Sequence, residues 1–205
     1  MAISKIIGSG LGTINSPVEF TSADNLNQLT LSSTDADAGE GPNLVFYRNS
    51  SSPADNDDLS TIDFIGRNDA SQDVTYGQIK AVLLDASDGT EDARLEFYRM
   101  KGGTSSPDLQ LNSEGVVINE GSGDVDFRVE SNGNANMLFV DGGNNCVGIG
   151  TNTNHGGELN IVTAGQASNL VLVCTDTDTN EGPILDLRRD AGNVPSDNDA
   201  MGIIN

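Results

Sequence analysis

The chain has no tryptophan, one histidine and two cysteines, and aromatic residues make up 4% of its 205 positions. Each scarcity removes a class of function. The lone histidine, His155, sits in the Gly- and Asn-rich TNTNHGGEL stretch, and no G-x-S-x-G elbow occurs, so a serine–histidine–carboxylate site lacks its parts. H-E-x-x-H and C-x-x-C are absent, which removes the usual zinc patterns. Cys146 and Cys174 lie in the apolar runs CVGIG and LVLVC, where a cysteine acts as a small hydrophobe. Free thiols fit synthesis in a reducing cytoplasm. The three tyrosines, Tyr47, Tyr76 and Tyr98, each fall inside an expected strand, leaving few rings to line a sugar groove.

Basic residues are scarce too. Ten Lys plus Arg face 31 Asp plus Glu, a formal net charge of −21. A field of that sign repels phosphate backbones and anionic lipid, so no nucleic-acid partner is expected. No apolar run approaches the roughly 20 residues of a membrane helix, so no membrane insertion is expected, and the N-terminal stretch lacks the apolar core of a signal peptide. GSGLG at 8–12 has no following Gly-Lys-Ser/Thr, and reads as a flexible attachment segment rather than a phosphate loop. No cofactor and no catalytic residue is assigned, and the chain is expected not to be an enzyme.

What the chain does have is glycine, 24 residues of it, and short apolar runs separated by turn chemistry. LTL, LVFY, TIDFIG, IKAVLLD, ARLEFYR, LQL and GVVI alternate with DAGEGP, SSPADNDD, ASDGTED, GGTSSPD and NSEG. The SDG triplet at 87–89 marks a hairpin loop. TYGQIKAVLLD also permits a helix, with Tyr76, Ile79 and Leu83 on one face; its β-branched neighbours and the DG turn favour a strand. Farther on, Val125, Phe127 and Val129 share one face of a strand whose other face carries Asp126, Arg128 and Glu130. SNGNAN is expected to supply positive-φ residues for a hairpin, MLFV to return, and DGGNN to turn into CVGIG. That is a three-stranded meander.

One phrase is written twice. TDADAGEGP at 34–42 recurs as TDTDTNEGP at 175–183, and the match extends from Leu29 and Leu31 (against Leu170 and Leu172) to Ile62 (against Ile204). Turns and strand alternation repeat together, as in a duplicated module. The second copy breaks off at Asn205, so the chain is expected to be the N-terminal part of a longer protein. Four segments follow: an attachment segment at 1–26, a first β module at 27–123, a hairpin and meander segment at 124–168, and the start of a second module at 169–205. The repeated acids are the leading metal candidates, since Asp35, Asp37 and Glu40, and likewise Asp176, Asp178 and Glu181, space their oxygens loosely like a calcium loop; Asp55, Asp57 and Asp58 are similar but looser. Neither set completes an EF-hand pattern, and Asx-type turns account for both.

FRVESNGNANMLFVDGGNNCVGIGT resembles a segment common in tail fibres and related virion proteins of tailed bacteriophages, marine ones especially. There a VGIGT strand follows a hairpin and precedes a short strand, here Leu159-Asn160-Ile161-Val162. Residues 59–118 are similar to segments found upstream of fibre chaperone domains. A proline often follows GT in the family; this chain has Asn154. The resemblance spans roughly 27–205 and implies a β-rich, elongated and homotrimeric appendage located on the virion.

The leading reading is therefore an all-β fibre of short antiparallel strands and meanders. Its N-terminal segment would dock on other virion proteins through Ile6, Ile7, Leu11, Val18 and Phe20, and a distal part beyond this chain would meet a host surface receptor. A capsid decoration or head-fibre protein is the alternative, and a tailspike glycan depolymerase a more remote one. Physically, apolar strips this narrow gain shelter from sister copies.

Overall fold

Turn residues punctuate the chain at short intervals, and the computed structural model, which describes residues 15, 17–163, 165, 168–173 and 175, places strands between them. Nine strands and no helix occur among the described residues. The chain divides into two units, residues 1–49 and 50–205, and all the strands belong to the second.

In the first unit the described residues form no strand. LTL at 29–31 and LVFY at 44–47, both expected as strands, stay unpaired, with their apolar side chains exposed, Tyr47 included. Alternation names the face a strand would bury, but a strand also needs a ladder partner for its N–H and C=O groups, and neither run has one. Local turns take over: Ser22 Oγ accepts from Asp24 N, Asp24 Oδ1 from Leu26 N, and Ser33 Oγ from Asp35 N. LVLV at 170–173, the counterpart of the first run, is likewise exposed and without a strand. Residues 176–205, which carry most of the second copy, lie outside the described residues.

The second unit opens with a five-stranded antiparallel meander in sequential order: β1 (Asp57–Arg67), β2 (Asp73–Asp85), β3 (Asp92–Lys101), β4 (Thr104–Asn112) and β5 (Gly115–Ile118). TYGQIKAVLLD is strand throughout, part of the thirteen residues of β2. The β2–β3 loop carries the expected Asp-Gly, with Gly89 at φ 88°. GGTSSPD is not all turn. Only Gly102 and Gly103, both at positive φ, make the bend, and Thr104 already pairs with Lys101. Pro107, which has no N–H for the ladder, enters β4 where the register slips between Phe97 and Tyr98, so a bulge accommodates it.

A second sheet follows: β6 (Phe127–Val129), β7 (Leu138–Asp141), β8 (Cys146–Ile149) and β9 (Leu159–Ile161), in that order. The first three form the expected meander. The fourth departs from an antiparallel plan, since β9 pairs parallel to β8, with Gly148 opposite Asn160. SNGNAN turns without positive-φ residues. Ser131 N donates to Asn134 O, and the Ser131 and Asn134 side chains accept from the N–H groups of Asn134 and Asn136, so side chains shape the bend instead. The left-handed residue falls in the next turn, at Asn145.

Substantial packing between strands is confined to hydrogen-bonded neighbours, so each sheet is a single layer. The VGIGT stretch is where backbone comes closest to backbone. A Cβ on Gly148 would stand 2.1 Å from the Thr151 carbonyl oxygen, and one on Gly150, at φ 78°, 2.1 Å from that of Val162. A side chain at either position forces strands apart. Gly148→Ala is expected to destabilise the chain by about 2–4 kcal/mol. Gly133→Ala, where a Cβ meets nothing within 4 Å, should stay within about 0.5 kcal/mol. Denaturant unfolding of the two variants checks the contrast.

Candidate functional site

Register decides which side chains share a face, because residues directly opposite in a ladder point the same way. In the β1–β5 sheet one row across the strands reads Thr61, Lys80, Glu96, Gln110, Val117. Neighbouring rows on that face bring Asp63, Gln78 and Tyr98, and Asp58, Val82 and Arg94. The adjacent rows on the other face read Ile62, Ile79, Phe97, Leu109, Ile118 and Ser60, Ala81, Leu95, Leu111, Val116. Phe64 and Gly77 follow at one end, Leu83 and Ala93 at the other. One face is therefore polar, its opposite apolar.

The polar face satisfies itself. Glu96 is the most buried large side chain, at 2% exposure, although it is charged. Gln110 Nε2 donates to its Oε1 at 3.0 Å and the Tyr98 hydroxyl to its Oε2 at 3.0 Å. Arg94 Nε lies 2.9 Å from Oε1, a Coulombic contact rather than an aligned hydrogen bond, since the same nitrogen finds no hydrogen-bond partner. Lys80 stands across the ladder and forms an ion pair with Asp58 at 2.8 Å. Asp63 accepts from Gln78 Nε2 at 2.5 Å and from the Thr61 hydroxyl at 3.0 Å. A buried carboxylate is tolerable only with its oxygens occupied and positive charge close by, and this one has both.

Within its own unit, among the described residues, the apolar face has no such cover. Ile62, Phe64, Leu95, Leu111, Val116 and Ile118 are all exposed, Phe64 by 57% and Val116 by 65%. Among the described residues only Val82 and Cys146 qualify as buried hydrophobic side chains, and Val82 lies on the polar side. Sequence reading found the apolar runs but missed Glu96. Its signal was available in ARLEFYR, where a polar residue between Leu95 and Phe97 alternates with Arg94 and Tyr98.

Of the sequence-derived metal candidates, Asp35 and Asp37 are turn formers in this structure. Asp35 Oδ1 accepts from Asp37 N at 3.3 Å, and Asp37 Oδ1 accepts from Gly39 N at 2.7 Å. Among the described residues no three His, Cys, Asp or Glu side chains converge as a metal site; Asp176, Asp178 and Glu181 lie outside them. Of the docking candidates, Val18 and Phe20 are exposed, while Ile6, Ile7 and Leu11 lie outside the described residues. His155 is an exposed loop residue whose N–H donates to Asn160 Oδ1. An open cleft of about 400 Å³ beside Asn119, Asp141 and Cys146 offers no activated nucleophile. Burial, helped by the charge of Asp141, pushes the Cys146 thiol up, and Asp141 is engaged by the N–H groups of Gly143 and Asn144. No helix among the described residues is long and apolar enough to cross a membrane.

Compared with protein-family models and with curated proteins, the chain matches none.

The polar face titrates at high pH. The hydrogen bond from Lys80 to Asp58 raises the lysine above its ordinary 10.5. Burial, then the bond to Glu96, raises the Tyr98 hydroxyl above 10.0. Both groups keep their protons longer folded than unfolded, so the linked stability is complete below about pH 10 and is lost as pH rises through the folded values. Unfolding midpoints should therefore fall as pH rises above about 10. Tyr98→Phe should flatten that fall.

Proposed function

We propose that the chain is a bacteriophage virion structural protein, a tail fibre or comparable appendage, in which copies associate, three to a fibre. The observation that carries this reading is the uncovered apolar face of a single-layer sheet in an otherwise strongly acidic, aromatic-poor chain. A monomeric soluble protein rarely leaves so continuous a strip open, whereas a subunit of an assembly does so routinely. The likeness of the β6–β9 segment to tail-fibre sequences supplies the kind of assembly. The exposed Val18 and Phe20 suit an N-terminal segment that meets another virion protein, and the role is one of scaffolding and host attachment rather than catalysis.

Immunogold labelling of purified particles that encode this chain tests the reading. Label on the tail is expected. Label on the capsid surface would move the protein to a decoration role, and particles without the chain would overturn the proposal. The docking role is tested separately: Val18→Asp with Phe20→Asp should reduce incorporation into particles about tenfold or more, as expected for loss of two apolar anchors, while leaving the strand content of the free protein unchanged.

A further inference from the structure

We infer that copies of this chain associate through the apolar face of the β1–β5 sheet, packed against the same face of a neighbouring copy. The inference rests on the proposal that the protein assembles, and it adds the surface and the occupant.

Three observations select a second copy over an unrelated partner. The first is relief. A row of bulky residues, Ile62, Ile79, Phe97, Leu109 and Ile118, runs beside a row that is low at Ser60 and Ala81 and rises again at Leu95, Leu111 and Val116. A surface with a hollow at one corner and ridges elsewhere can interdigitate with an inverted copy of itself, as stacked sheets do about 10 Å apart. The second is charge. The chain carries −21, yet the charged side chains on this face are few: Asp57, Arg99 and Lys101 toward its ends, and Asp108 in the β4 bulge, whose carboxylate is ion-paired with Arg99. Asp58, Asp63 and Glu96 lie on the opposite side, so two like-charged copies meet where each presents few acids.

The third is area. Five strands about 4.8 Å apart, with some six residues at about 3.4 Å each, give a plane of roughly 500 Å² per copy. Two faces together then bury about 1,000 Å², the lower bound for a specific interface. A surface that reaches this bound without help from other elements is sufficient to hold two copies together.

Carbene footprinting of the wild-type chain at high and low protein concentration reads the face directly, alongside sedimentation for the mass. Ile62, Phe64, Leu111, Val116 and Ile118 should lose labelling at high concentration in step with a rise in mass. The polar-face Tyr98 should not change. A monomer at high micromolar concentration, or a multimer in which these side chains still label fully, would overturn the inference. Phe64→Glu with Val116→Glu, both at exposed positions, should weaken association about tenfold or more, whereas Thr61→Glu on the other face should not. Retained strand signal by circular dichroism confirms that each variant folds, and the wild-type footprint decides the matter if one does not. A chain that associates through this face but is missing from particles upholds the inference and sinks the virion role. A particle-borne chain whose face stays open does the reverse.

Discussion

A single-layer sheet has two faces and, in this chain, only one solution for each. The polar face is closed by its own side chains, from the same strand and from across the ladder, which gather around Glu96 and occupy both its carboxylate oxygens. Apolar side chains have no such recourse, because they cannot pair with their neighbours to compensate for the water they meet. The asymmetry runs through the β1–β5 sheet and follows from period-two alternation between the bulges. Everything proposed about assembly depends on it.

The bulges keep that asymmetry intact over long strands. Between Asp58 and Ser60 one residue is left over, and without that slip Asp63 would fall opposite Gly77, on the apolar side with Ile79. The slip opposite Phe97 and Tyr98 does the same for β4, where it also accommodates Pro107. Register is thus protected where the chemistry is most at risk. The Gly102–Gly103 bend and Gly115 set the hairpins on either side of β4, each in a backbone region closed to most residues.

Much of this was legible. IKAVLLD, ARLEFYR and GVVI showed their strands because alternation, β-branched residues and an Asp-Gly turn all agreed. The beginning of β4 was hidden because Thr-Ser-Ser-Pro-Asp has turn composition, and only a bulge in the partner pairing makes it strand. LTL and LVFY were overread for the converse reason: their pattern fits a strand, but a ladder partner is a property of the rest of the chain. The parallel pairing of β9 left no local trace, since three residues cannot announce the direction of their neighbour. Two of the partners that enclose Glu96, Arg94 and Tyr98, stand two residues away on its own strand and were in view in ARLEFYR; the third, Gln110, comes from across the ladder, a long-range result that residue type alone does not encode.

Net charge and exposed apolar surface are often at odds, and here they act over different distances. Acids in the turns and on the polar face repel across roughly a Debye length, about 8 Å at physiological salt, and hold copies apart at random approach. Apolar contact acts only when surfaces touch, and only on the one face that carries few charges. Edge-on encounters bring up Asp57, Asp58 and Asp63 along β1, an edge whose charges oppose continuation of the sheet into a neighbour. Face-on encounters meet no such barrier. The acidic balance that argues against a nucleic-acid partner therefore also serves selectivity: it discourages aggregation by extension of the sheet at β1 and leaves the proposed layered packing as the favourable mode of contact.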